Sequence, residues 1–203
     1  MITIINYGLG NIRAFVNVYE RLNIHINIAS CAQEIKGVNR IILPGVGSFD
    51  YAMKLLNESG MRDELDNQVM VRKIPVLGVC VGMQMLAKSS EEGLLPGLGW
   101  INADVKRFDE TSFSQKTHLP HMGWNDVNPN SPSGLFQGLI NTRFYFLHSY
   151  YISPINQDEV LATTEYNGSF ASAVKSGNIY GTQFHPEKSH QWGIQLLKNF
   201  ANL

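Results

Sequence analysis

At 203 residues the chain is large enough for one domain with a real hydrophobic core, and no cofactor or metal is needed to hold it together. Sixteen Lys and Arg against seventeen Asp and Glu give a formal net charge of −1, without the basic excess of nucleic-acid binding, so small molecules and proteins are the expected partners. Two cysteines make no disulfide framework, the N-terminus has no basic leader, and no apolar run approaches bilayer-spanning length, which together predict a cytoplasmic protein without a membrane segment.

Ile2 to Ile5 form a β-branched run that reads as a strand, ended by Gly8-Leu9-Gly10 and followed by Asn11 as a plausible helix N-cap. In the helix that follows, Ile12, Phe15, Val16, Tyr19 and Leu22 share one face at core spacing. The glycine pair lacks the third glycine of a dinucleotide fingerprint, so the nucleotide-loop reading is weak, and a loop at a partner surface stands level with it. Ile24 to Ala29 and Arg40 to Leu43 read as the next strands, the latter stopped by Pro44-Gly45-Val46-Gly47. Two glycines round Val46 permit an unusual peptide orientation, so a backbone N–H here can serve as an oxyanion donor; otherwise the segment is a tight turn. Ser48 or Asp50 would cap the next helical region, which carries Met53, Leu55 and Leu56 and, after Gly60, Leu65 and Val69.

Pro75 to Gln84 is the stretch around which the rest is organised. Val76 to Val79 reads as a buried strand and Met83, Met85, Leu86 and Ala87 as the start of a helix, so Cys80 falls on the strand-to-helix turn. Gly78 and Gly82 flank it at two-residue spacing and leave room for the sharp, strained turn of a nucleophile elbow. A helix N-terminus beside the sulfur favours thiolate, and the N–H of Val81 points where an oxyanion would form. The competing reading is a structural cysteine, since free Cys is commonly buried.

Beyond that helix, turn residues accumulate over residues 91–99 and the α/β alternation stops, which predicts a β-rich insertion rather than a second domain. Residues 108–118 read as a polar surface loop. His118 and His121 lack the spacing of a metal site. Arg143 to Tyr151 reads as one aromatic-rich strand, and Val160 to Tyr166 and Phe170 to Lys175 as a hairpin about Asn167-Gly168. Ile179 to Phe184 is the last strand and runs into His185-Pro186-Glu187-Lys188, where the proline ends the ladder and lets His185 and Glu187 converge. Trp192, Leu196 and Phe200 form the core stripe of a closing helix. A thiolate nucleophile needs a base that later acts as acid, and the base needs an orienting carboxylate; Cys80, His185 and Glu187 supply the three and point to acyl transfer.

Four of these motifs carry a family resemblance. Gly78 to Gln84 (GVCVGMQ), Pro44 to Phe49 (PGVGSF), Pro120 to Asn125 (PHMGWN) and Gln183 to Lys188 (QFHPEK) resemble the triad-type, class I glutamine amidotransferases. The second and third, with Tyr145 to Tyr150 (YFLHSY), narrow the likeness to the glutaminase subunits of imidazole glycerol phosphate synthases, over nearly the whole chain. The resemblance implies one domain over 1–203 with an α/β fold: an open, mainly parallel sheet with helices on both faces and a β-rich insertion. It implies that Cys80 attacks the side-chain amide of glutamine to give a thioester and ammonia, with His185 as acid and base and Glu187 as orienter. Gln84, Ser149 and Tyr150 would hold the glutamine head; Val46, Gly47 and Val81 would form the oxyanion region. Ammonia would pass to a (β/α)8-barrel synthase (cyclase) subunit in a heterodimer, with Asn11, Trp124, Tyr145 and Lys188 at the interface; no cofactor, nucleic acid or membrane is implied.

Val81, Asn6 and His190 depart from the residues most common in that family, outside the Cys-His-Glu set. They leave as an alternative a paralogous glutaminase that supplies ammonia for sugar amidation in surface-polysaccharide synthesis. A binding or sensing protein on the same fold, and a cysteine hydrolase for other acyl substrates, complete the alternatives.

Overall fold

The computed structural model describes residues 1–112 and 118–203. In chain order the first half runs β1 (Ile2–Ile5), α1 (Ile12–Arg21), β2 (Ile26–Ala29), β3 (Ile41–Gly45), α2 (Phe49–Glu58), α3 (Arg62–Asp66), β4 (Val76–Cys80) and α4 (Val81–Gln84). There follow β5 (Ser89–Ser90), β6 (Ala103–Arg107), β7 (His121–Asp126), β8 (Asn128–Pro129), β9 (Arg143–His148) and β10 (Tyr150–Pro154). The chain closes with β11 (Val160–Glu165), β12 (Ser169–Ser176), β13 (Ile179–Thr182) and α5 (His190–Asn202).

The central sheet has the order β2-β1-β3-β4-β13-β12-β11-β8, parallel from β2 to β13 and antiparallel beyond. β1, β3, β4 and β13 are buried at every residue, so side chains pointing to both faces are covered, and this is why these strands read as unbroken apolar runs. Helices α1 and α5 pack together, with the Tyr19 hydroxyl donating to the Leu197 carbonyl at 3.1 Å. The carboxyl end of β4 therefore opens at the middle of one sheet edge, where a ligand site is expected in such a fold. β5, β6 and β10 form a separate small sheet, and β7 and β9 an antiparallel ribbon. The hairpin between β11 and β12 turns at Asn167 and Gly168, both at positive φ. No helix among the described residues is long and apolar enough to cross a membrane.

Several local expectations are corrected. The helix after Cys80 lasts one turn, because the carbonyls of Met85, Leu86 and Ala87 accept the N–H groups of Leu98, Ile101 and Gly99 in place of a further helical turn. Neither Ser48 nor Asp50 caps α2: the Phe49 N–H is taken by Glu92 at 2.8 Å, while Asp50 accepts from Leu94 and Leu95. Asn11 occupies the N-cap position of α1 without a side-chain hydrogen bond. The aromatic run from Arg143 is two strands broken at Ser149, since His148 pairs with His121 in the ribbon and Tyr150 with Arg107 in the small sheet. Of the 108–118 loop, residues 113–117 lie outside the described residues, and Phe108 is buried against His148, Tyr151, Tyr166 and Phe170. Leu196 and Phe200 are core, but Trp192 is half-buried beside Trp124.

Candidate active site

Cys80 ends β4 with φ 56° and ψ −115°, a conformation that L-residues rarely adopt and that persists only where the surroundings enforce it. The glycines around it do the enforcing by close approach. A Cβ on Gly82 would sit 2.0 Å from the Leu43 carbonyl oxygen, one on Gly78 2.6 Å from that of Gly82, and one on Gly45 2.2 Å from the Gly82 nitrogen. The ends of β3 and β4 are thereby pressed together at backbone distance, which brings Val46 and Gly47 beside Val81 along one wall of a cavity of about 320 Å³. Gly47 has φ +85°, with open space where a side chain would project.

His185 and Glu187 come from the loop that follows β13. The Nδ1 of His185 lies 2.9 Å from Oε1 of Glu187, and their side chains are 4% and 2% exposed. Oε2 of Glu187 is buried with no hydrogen-bond partner among the described residues, so the carboxylate is committed to His185. The loop is stapled by backbone: the His185 N–H donates to the Tyr145 carbonyl at 2.9 Å, and Ser189 Oγ donates to the His185 carbonyl at 2.6 Å. Burial opposes a charge on His185, but hydrogen bonds to Cys80 and Glu187 and the charges of both outweigh it, and its pKa is pushed up to about 10. An imidazolium held between a sulfur and a carboxylate is suited to stabilise thiolate and to deliver a proton to a leaving group.

The thiol has two further neighbours. Its sulfur accepts from Gln183 Nε2 at 3.8 Å and lies 4.0 Å from the Leu147 carbonyl. Gln84 Nε2 donates both to the Tyr150 carbonyl and to Gln183 Oε1, each at 3.0 Å, so its protons are spent within the protein and its oxygen is left as an acceptor. Gln84, Ser149 and Tyr150 all line the cavity, as do Val46, Gly47, Val81, Cys80, His185 and Lys188. Trp124 and Tyr145 stand edge to face at 6.3 Å and Lys188 lies 5.9 Å over the Tyr145 ring, so these three gather on one side of the site. Asn11 is exposed between β1 and α1, at the same carboxyl edge of the sheet, and α1 packs on the Pro186–Lys188 turn that carries Lys188.

Sequence reading missed three participants. Gln183 precedes His185 by two residues, and strand alternation could have placed both on one face. Glu92 lines the cavity and is the acid among its lining residues, but it comes from a turn-rich segment with no periodic signal. Tyr7 is buried and donates to the Pro44 carbonyl at 2.7 Å, anchoring the base of the Val46–Gly47 loop. Burial first, and the neighbouring Cys80 second, hold the Tyr7 phenol above its ordinary pKa, so it stays a donor.

The chain matches the family described as Glutamine amidotransferase class-I over residues 3–202. It is 55% identical to the Imidazole glycerol phosphate synthase subunit HisH of Bdellovibrio bacteriovorus and 53% identical to that of Leptospira borgpetersenii, over 100% of both chains in each case. Among solved structures, one described as a glutamine amidotransferase superposes with a TM-score of 0.74 at 22% identity, covering 100% of this chain and 99% of that one. The last likeness bears on the fold alone.

Proposed function

The chain belongs to the class I glutamine amidotransferases and, among them, to the HisH subunits of imidazole glycerol phosphate synthase, and from that premise we propose how its residues release ammonia from glutamine. The observation that carries the reading is the elbow cysteine at φ 56° facing a His185–Glu187 pair 2.9 Å apart at the mouth of β4. Glutamine enters with its ammonium toward Glu92 and its side-chain amide toward Cys80, and Gln84, Ser149 and Tyr150 form the wall against its head. The thiolate attacks the amide carbon. The oxyanion that forms is met by backbone N–H groups of the Val46–Gly47 loop and of Val81. Collapse breaks the C–N bond while His185 gives its proton to the nitrogen, which leaves as ammonia, and a glutamyl thioester remains on Cys80. Water then attacks the thioester as His185 takes one of its protons; the C–S bond breaks, glutamate leaves after its new carboxyl loses a proton to solvent, and the thiolate and protonated His185 are restored.

The ammonia serves a synthase subunit that forms imidazole glycerol phosphate in histidine biosynthesis. We take that partner to be a (β/α)8 barrel bound as a heterodimer over the face bearing Asn11, Trp124, Tyr145 and Lys188. The half-exposed Trp124 and Tyr145 rings and the exposed Lys188 beside them support this choice of face. A cytoplasmic location fits the two free thiols, one of them exposed. Glutamate release from glutamine, measured in wild type and Cys80→Ala, tests the reading: loss of turnover in a folded variant is expected, and full activity in Cys80→Ala would overturn it.

A further inference from the structure

Two buried histidines, His148 in the pocket lining and His121 behind it, take no part in the cysteine chemistry. His121 on β7 and His148 on β9 are cross-strand partners, and Nδ1 of His121 lies 2.9 Å from Nε2 of His148. Burial lowers His121 to about 4; for His148 burial comes first, the neighbouring His121 and His185 add to it against the Tyr150 carbonyl's hydrogen bond, and its pKa falls to about 3, so both rings are neutral near pH 7. A neutral imidazole has one donor and one acceptor, so the direction of each bond follows from the groups at the ends.

At one end His148 Nδ1 is 2.8 Å from the Tyr150 carbonyl, which only accepts; the proton is therefore on Nδ1 and Nε2 accepts. His121 must then donate from its own Nδ1, which leaves its Nε2 to accept from Asn125 Nδ2 at 3.2 Å. The Asn125 amide is itself oriented, since its nitrogen donates to the Glu165 carbonyl at 3.0 Å and its oxygen accepts from the Asp126 N–H at 2.8 Å. The result is a one-way chain from Asn125 through His121 and His148 to the Tyr150 carbonyl. Its last bond closes a ring over Ser149, the residue at which the chain leaves the ribbon for the small sheet. The same carbonyl accepts from Gln84, which leads through Gln183 to the Cys80 sulfur.

We propose that His121 is a positioning residue for the glutamine pocket: by donating to Nε2 of His148 it anchors the ring whose Nδ1 proton holds the Tyr150 carbonyl, and so holds the clamp over Ser149 that sets the pocket wall. The inference rests on the glutaminase reading above for its kinetic consequence. Without the donor the Tyr150 carbonyl still holds the proton on Nδ1, but Nε2 becomes a buried acceptor without a partner, and the ring loses the bond that fixes it over Ser149. The wall formed by Ser149 and Tyr150 shifts, while Cys80 and its pairing with His185 and Glu187 stay in place. Loss of such an interaction weakens substrate and transition state alike and shows in KM.

His121→Phe is the variant of choice, because the ring is stacked between Phe146 at 4.7 Å and Tyr166 at 4.1 Å and phenylalanine keeps the stack while deleting the donor. Expected are a KM for glutamine raised about tenfold, kcat within about twofold of wild type, and an unchanged rate of alkylation of the Cys80 peptide by iodoacetamide. His121→Asn, whose amide nitrogen overlays the lost Nδ1, should bring KM back toward wild type. Imidazole 15N shifts of the full-length chain should report Nδ1-protonated His148 in both proteins, with the Nε2 resonance of His148 moved downfield in His121→Phe, where that nitrogen no longer accepts a hydrogen bond. Unchanged KM in a folded His121→Phe protein, failure of the Asn variant to differ from it, or wild-type His148 protonated on Nε2 would each overturn the proposal. A wild-type chain that released no glutamate would instead remove the glutaminase reading, and the His148 Nε2 shift would still decide whether that nitrogen accepts from His121.

Discussion

Cys80 combines a reactive group with a backbone that resists it. At φ 56° a side chain of any L-residue is strained by about 1–3 kcal/mol, and the turn tolerates this because Gly45, Gly78 and Gly82 let the surrounding backbone close on it. Two variants separate chemistry from strain. Cys80→Ala and Cys80→Gly should both abolish glutamine hydrolysis, yet the glycine variant should be the more stable of the two by about 1 kcal/mol in urea unfolding, since only glycine adopts this conformation freely. Equal stabilities would show that the turn stores no strain. Ammonia supplied directly should still sustain the synthase reaction in a complex containing either variant. His185→Asn should remove turnover to a similar degree as Cys80→Ala, whereas Glu187→Gln should cost less, because an amide oxygen can still accept from His185 Nδ1 and hold the ring.

At the scale of elements, β3 and β4 with their following turns act as one unit held by backbone contact. Gly82→Ala would drive a methyl group into the Leu43 carbonyl at 2.0 Å, and backbone cannot step aside as a flexible side chain does. A loss of about 1–3 kcal/mol in unfolding free energy is expected, with glutamate release falling further than stability because Val81 and Cys80 move with the turn. Gly47 differs in kind: an added Cβ meets nothing, and only its φ of +85° is at stake. In the proposed mechanism a β-branched residue there would bias the Val46–Gly47 peptide between orientations, of which one would aim an N–H at the forming oxyanion. Because about 1.4 kcal/mol shifts such a ratio tenfold, Gly47→Val should change the acceleration that the partner brings. Glutamate release from the chain alone, with the synthase subunit, and with that subunit and its acceptor ligand measures this, and equal rates in all three for wild type would reject a coupled loop.

For the whole molecule, the buried histidines divide the pH dependence of stability in two. His185 has a folded pKa of about 10, above the ordinary 6.5, so the folded state binds the extra proton; its contribution is complete below pH 6.5 and is lost as pH rises toward 10. His121 and His148 have the opposite sign. Their folded pKa values of about 4 and about 3 make the unfolded chain the better proton binder, so their contribution is present above pH 6.5 and is lost as pH falls through the folded values. Urea midpoints should therefore decline on both sides of neutrality. His185→Asn should flatten the alkaline limb and His121→Phe the acid one; a variant with the wild-type slope on its own limb would refute the assignment for that residue.

The amino-acid sequence by itself determined the repeated strand, glycine and helix order that builds a parallel sheet, since strands buried on both faces must be apolar throughout, as Ile2 to Ile5 and Val76 to Val79 are. It also carried the elbow at Cys80 and the meeting of His185 with Glu187, because a glycine pair and a proline act on the backbone within a few residues. Tertiary structure decided what depends on distant segments. Glu92 caps α2 and enters the pocket from 43 positions along the chain; Gln183 reaches the sulfur across 103; and the run from Arg143 to Tyr151 breaks at Ser149 because its two halves pair in different sheets. Hydrogen-bond direction belongs to the same class. Which nitrogens of His148 and His121 hold the protons follows from the Tyr150 carbonyl, and local propensity cannot encode a choice whose determinants come from separate strands.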